Sequence, residues 1–195
     1  MIHMAGLALA LTAGFMLLSA HSLSEGWPSG ALGVYVACMV VMLAASAAYN
    51  LSAPGPAKAW LRRVDHAAIF AAIAGTYTPL LARLPAPYAA LLSAGVWALA
   101  LAGITLKLAA PGRHERLGLL CYIGLGWIGL PVFPMLAAAL RSTTPPLIGL
   151  GAVLYTVGAG VQLMTRLRYH NAVWHILVLL AAGCHFLAIQ TEFAP

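Results

Sequence analysis

The sequence predicts an all-α membrane protein, a bundle of seven transmembrane helices forming a single domain over residues 1–195. Three observations carry this prediction. The chain is 63% hydrophobic and only 7% charged, whereas soluble chains carry about 25% charged residues. Its mean hydropathy is +0.93. Its apolar residues fall into runs near the ~20 residues that a helix needs to cross a bilayer, separated by short loops holding glycine, proline and charge. Little chain remains for a soluble domain, so the bundle itself must carry the function.

The first run, about 4–21, has no basic segment before it and ends in "AHSLSEGWPSG". It reads as a span rather than a cleaved signal. The second, about 30–50, ends before the breaker-rich loop "LSAPGPAKAW". The third, about 65–83, runs from Asp65 through "AGTYTP" (Ala74–Pro79), where Pro79 loosens the helix. The fourth, about 87–108, follows "LPAP". The fifth, about 117–140, contains "YIGLGWIGLP" (Tyr122–Pro131), whose glycines suit close helix packing. The sixth, about 146–165, follows "STTPP" and carries Gly149, Gly151, Gly158 and Gly160. The seventh spans about 171–190. Cys38, Cys121 and Cys184 all lie within these runs without CxxC spacing, so they read as small packing residues.

Charge sets the orientation. Lys58, Arg62, Arg63, Lys107, Arg113, Arg116, Arg166 and Arg168 fall on one side, against Arg83 and Arg141 on the other. The positive-inside rule then places the N-terminus in the cytoplasm and the C-terminus outside. Trp27, Trp60 and Trp174 lie near span ends, as interfacial residues do. The net charge of +6 is accounted for by this topology, without nucleic acid as a partner. A retinal protein would need a lysine inside the last span, yet the only lysines are Lys58 and Lys107, near the membrane faces.

The same topology decides which polar residues meet. Span 2 ends, and spans 3 and 7 begin, at the cytoplasmic face. Ser46 and Asn50 share one helix face at i, i+4, and so do Asn171 and His175. The stretch "HNAVWH" looks like a histidine pair, but His170 and His175 point about 140° apart on a helix. Asp65 is the one acid that the predicted spans contain, and intramembrane acids are functional candidates by default. Two readings of these residues stand side by side: an inward polar pocket, or an interhelical hydrogen-bond cluster of the kind serine and asparagine often make. For Asp65 alone, a start-of-helix carboxylate pairing with Arg62 or Arg63 is a third. His185, about 15 Å deeper than His175, reads as a buried hydrogen-bonded residue. His3, His21, His66 and His114 receive no chemical role.

The strings "SAAYN", "LRRVDHAAIFAAIAGTYTPLL", "LYTVGAG" and "HNAVWHILVLLAAGCHF" together resemble the hemolysin III family. That family is the bacterial branch of the progestin and adipoQ receptors, which include the adiponectin receptors. The resemblance covers nearly the whole chain. It implies seven helices with the N-terminus inside, and a bacterial inner-membrane location. It also implies a zinc site near the cytoplasmic face, with histidines from an S-x3-H motif on span 2 and an H-x3-H motif on span 7. An acid on span 3 would hold the metal-bound water. By that resemblance Ser46 matches the motif serine, Asp65 the acid and His175 the second histidine of span 7. Asn50 and Asn171 stand where the other two histidines belong. Amide oxygens are weak zinc donors, and zinc sites are built from His, Cys or carboxylate. The chain is therefore expected to bind zinc weakly or not at all. The resemblance implies a role in membrane or lipid homeostasis, with membrane lipids as partners and a lipid held in the bundle. Its alternatives are a zinc-dependent hydrolase of a lipid amide, ceramidase-like, with Asp65 as general base and Ser46 assisting, and a cytolytic or pore-forming protein.

Overall fold

A computed structural model describes residues 2–22, 29–109 and 115–193. The helices are α1 (Ile2–Ser22), α2 (Ser29–Leu51), α3 (Pro56–Leu81), α4 (Ala86–Ala109), α5 (Glu115–Trp127), α6 (Phe133–Ala139), α7 (Thr144–Leu163) and α8 (His170–Phe193). A single 3₁₀ turn, Leu130–Val132, joins α5 to α6. Trp27, read as an interfacial residue, Arg113, counted for orientation, and His114, given no role, lie outside the described residues. Six segments are long and apolar enough to cross a membrane: α1, α2, α4, α5 with α6, α7 and α8. Helix α3 carries Lys58, Arg62, Arg63 and Asp65 in its first half, which keeps its composition below that of a plain span.

The third helix begins nine residues before the predicted start at Asp65. Gly55 caps it at φ 158°, ψ −178°, a backbone region that essentially only glycine adopts. Pro56 follows at the first helical position, where its missing N–H costs nothing. Asp65 therefore sits in the third turn of α3, beyond the reach of a first-turn dipole effect. Lys58 Nζ donates to Ser52 O at 2.8 Å, tying the start of α3 back to the end of α2.

Helix α3 is the axis of the bundle. It packs along α2 and α4 and also meets α5 and α8. Ala68, Phe70, Ala72, Ala74, Leu80 and Leu81 are buried along it. Small residues allow the close approaches, because helices in lipid associate by packing rather than by hydrophobic burial. A Cβ on Gly103 of α4 would strike the Phe70 ring, and one on Gly151 of α7 would strike His185 of α8. Outward-facing apolar residues such as Phe15, Leu91 and Leu120 stay exposed, as suits a surface that meets hydrocarbon.

Two features depart from the sequence expectation. The fifth run is not one continuous helix; it breaks between Trp127 and Phe133, where Gly126, Gly129, Pro131 and Pro134 crowd together. Backbone groups freed at membrane depth must find partners inside the protein. Tyr77 of α3 supplies them: its hydroxyl donates to Gly126 O at 2.6 Å and accepts from Gly129 N at 3.2 Å. In addition, α8 continues to Phe193 and carries Glu192 with it, so Asp65 is not the only acid in a membrane helix. The Glu192 side chain is fully buried, with Oε1 2.7 Å from Arg83 Nε. That contact is coulombic rather than an aligned hydrogen bond. The other oxygen, Oε2, accepts from Arg141 N at 2.8 Å and from Thr144 Oγ1 at 2.9 Å. One carboxylate thus joins the ends of α3, α7 and α8.

Candidate functional site

A cavity of about 360 Å³ opens within the bundle, lined from α1, α2, α3, α5, α7, α8 and the broken turn. That lies within the roughly 300–1,000 Å³ of small-ligand sites. Most of its wall is aliphatic and aromatic. One set of its polar groups gathers where α1, α3 and α8 begin and α2 ends, and another, Thr76, Tyr77, Tyr155, Thr156 and His185, lies further along.

Ser46 is buried on α2. Its Oγ lies 3.2 Å from His3 Nδ1 on α1 and also hydrogen-bonds the Asp65 side chain on α3. A carboxylate can only accept, so the Ser46 hydroxyl donates to ionised Asp65 and accepts from His3 Nδ1–H. The His3 ring meets His175 of α8 edge-on, with centroids 4.3 Å apart and planes at 78°. All four side chains line the cavity. Serine, acid and histidine from helices 2, 3 and 7 of the predicted set therefore do converge, together with a histidine that was assigned no role.

The two asparagines take other positions. Asn50 Nδ2 donates to Ser46 O of its own helix at 2.8 Å. Asn171 is exposed. Neither lines the cavity. His170 bonds Leu167 O at 2.9 Å, on the far side of the helix start. His66 Nδ1–H donates to Arg62 O at 2.7 Å, and Asp65 lies 3.7 Å from the same nitrogen.

Further along the cavity, His185 bonds Ile148 O at 3.2 Å through Nε2, and Tyr155 lies against it with ring centroids 5.5 Å apart. The reading of His185 as a buried, hydrogen-bonded residue matches this. Trp127 Nε1 donates to Thr156 Oγ1 at 3.0 Å, linking the end of α5 to α7. With Tyr77 on the other flank, the broken turn forms one wall of the cavity.

The family resemblance resides in residues that now have positions. A family pattern described as "Haemolysin-III related" matches residues 1–186. The chain belongs to the hemolysin III family. It is 30% identical to the "Hemolysin-3 homolog" of Bacillus subtilis (strain 168) over 176 residues, 90% of this chain and 83% of that protein. It is 36% identical to the "Hemolysin-3" of Bacillus cereus over 133 residues, 68% of this chain and 61% of that protein.

At the two family ligand positions that hold asparagine, Asn50 and Asn171, the side chains are poor donors for the zinc that the family resemblance implies. Zinc needs three or four nitrogen, sulfur or carboxylate ligands around one point. The Asn50 amide nitrogen is directed at its own helix backbone, and Asn171 is exposed. What the arrangement offers instead is a hydrogen-bonding cluster of hydroxyl, carboxylate and imidazoles near one end of a largely aliphatic and aromatic chamber.

Sequence reasoning missed His3, yet the topology contained the signal. Span 1 begins on the face where span 2 ends and spans 3 and 7 begin, so any polar residue in its first turn belongs at the same depth. The link from Tyr77 to Gly126 had no such signal, because its partner is a backbone carbonyl freed by a break.

Proposed function

We propose that this hemolysin III family protein holds a lipid within its bundle and serves membrane or lipid homeostasis, with weak or absent zinc binding. The observation that carries the reading is the cavity: a largely aliphatic and aromatic chamber with one polar cluster, His3, Ser46, Asp65 and His175, near one end and a few further polar groups along its length. An amphiphile has that distribution of polarity. The hydrocarbon chain would lie along the aliphatic wall beside Ile69, Ile73 and Leu130, and the polar group would exchange hydrogen bonds with the cluster. We place the chain in the inner membrane of a bacterium, crossing seven times with the N-terminus in the cytoplasm; the lysine and arginine distribution supports that orientation.

Two measurements on the purified protein test this. Organic extraction followed by mass spectrometry should recover a single-chain lipid in near-stoichiometric amount. Elemental analysis should find less than about a tenth of an equivalent of zinc, given the missing donors. A full equivalent of zinc would overturn the weak-zinc reading, and hydrolysis of a lipid amide by that protein would make it the metal-dependent hydrolase. Release of haemoglobin from red cells by the purified protein would favour the cytolytic or pore-forming alternative; the relatives are named hemolysins.

A further inference from the structure

We propose that the cavity has a second polar subsite, formed by Tyr155 and His185, that takes a hydroxyl group carried far along the chain of a bound lipid. This rests on the lipid-holding reading above and narrows it to one class of ligand, an amphiphile with a second hydroxyl remote from its head. The argument starts from the polar groups along the cavity that the protein itself already serves. Thr76 Oγ1 donates to Ala72 O and Thr156 Oγ1 to Ala152 O, each at 2.8 Å. Thr156 Oγ1 also accepts from Trp127 Nε1, and the Tyr77 hydroxyl bonds the broken turn twice. None of these needs a ligand.

Tyr155 and His185 differ. His185 Nε2 lies 3.2 Å from Ile148 O. A carbonyl only accepts, so Nε2 carries the proton, and in the neutral imidazole Nδ1 is left as an acceptor. The ring is held in place by one face of α7: Ile148 binds its Nε2–H, Gly151 leaves room for its edge, and the Tyr155 ring lies against it with centroids 5.5 Å apart. Among the described residues, neither the Tyr155 hydroxyl nor His185 Nδ1 has a hydrogen-bond partner in the protein, and both side chains line the cavity. The pair presents one donor beside one acceptor. A hydroxyl accepts from Tyr155 and donates to His185 Nδ1 at once. A plain hydrocarbon chain would cover both groups and leave them unpaired, which is costly in an apolar site. A carbonyl or carboxylate only accepts, so it serves Tyr155 and not His185. His185 follows His175 by ten residues on α8, which puts this subsite roughly 15 Å along the helix from the polar cluster. That span matches an extended dodecyl chain with a polar group at each end.

The experiment is native mass spectrometry of the full chain titrated with dodecanol and with α,ω-dodecanediol, which differ only in the second hydroxyl. An apolar chamber without the subsite would bind the diol more weakly, since it must bury one more polar group. With the subsite the diol should bind about tenfold more tightly than dodecanol, the ratio for one or two net neutral hydrogen bonds. Tyr155→Phe removes a hydroxyl on which no described residue depends, and should bring the diol down to dodecanol's affinity or below while leaving dodecanol unchanged. Should Tyr155→Phe fail to fold, the ranking on the native chain still decides the matter. A diol that binds no more tightly than dodecanol, or a Tyr155→Phe chain that weakens both ligands alike, would overturn this inference and leave the lipid cavity standing. Binding of neither ligand would overturn the lipid cavity itself.

Discussion

Removal of the Glu192 carboxylate offers the sharpest test of how this bundle is held together. In Glu192→Ala the Arg83 guanidinium loses an anion 2.7 Å away, and the Arg141 N–H and Thr144 hydroxyl lose their acceptor. Breaking a buried ion pair by deleting one partner costs about 3–5 kcal/mol. Arg83 retains 24% side-chain exposure and can regain water, whereas Glu192 has none. That relief, together with the Phe193 ring against the guanidinium, places the expected loss near the lower end, about 3 kcal/mol. The two further hydrogen bonds share the same carboxylate, so their contributions overlap rather than add. For a chain of this length, about 3 kcal/mol lowers the unfolding temperature by roughly 6–12 °C. Thermal unfolding in a mild detergent measures it. Glu192→Gln keeps an acceptor and should lose roughly half as much. A double-mutant cycle with Arg83→Ala should show coupling above about 1 kcal/mol. A drop below about 2 °C for Glu192→Ala, or a cycle without coupling, would refute the reasoning, since the carboxylate would then contribute no more than a surface charge. Glu192 lies about 25 Å along α8 from His175, so lipid binding at the polar cluster should be unchanged in whatever protein remains folded.

Three further outcomes are expected. Replacing both Asn50 and Asn171 with histidine should raise bound zinc from below about a tenth of an equivalent to about one; metal analysis that finds no gain would show that these positions do not reach a common point with Asp65 and His175. Tyr77→Phe strands the Gly126 carbonyl and the Gly129 N–H at membrane depth, and should destabilise by about 1–3 kcal/mol; an unchanged unfolding temperature would mean water already serves the break. Gly103→Ala forces a methyl group into the Phe70 ring and should destabilise by about 1–3 kcal/mol by overpacking, read by the same assay, with wild-type stability counting against close α3–α4 packing.

Much of this architecture was legible because a bilayer leaves few choices. Apolar runs near twenty residues, bounded by glycine and proline, located the helices to within a few residues except at two places. At α3 the search for apolarity stopped at Asp65, while the true start was written in Gly55 and Pro56, a cap and first-position signal that owes nothing to hydropathy. In the fifth run the glycines were read as packing residues; their density together with Pro131 and Pro134 was the sign of a break. The convergence of Ser46, Asp65 and His175 was legible from topology, since it depends on which helix ends share a membrane face. The positions of Asn50 and Asn171 were not, because a side chain at the helix end can turn to its own backbone, as Asn50 does, or stay exposed, as Asn171 does. Glu192 escaped because it lies two residues beyond the apolar run that marked the last span, and because what permits its burial is Arg83, more than a hundred residues earlier in the chain.

The link between Tyr77 and the broken turn has a consequence for how the chain is made. Synthesis runs from the N-terminus, so Tyr77 is in place 49 residues before the Gly126 carbonyl it must satisfy emerges. Two half-helices with an open seam are a poor candidate for insertion on their own, because the seam carries polar backbone into hydrocarbon. A hydroxyl already waiting on α3 turns that liability into a docking signal: the fifth segment is at rest in the membrane only when it lies beside the third. The order of the genes' codons, and not only the shapes of the helices, thereby helps to fix the order in which the bundle closes.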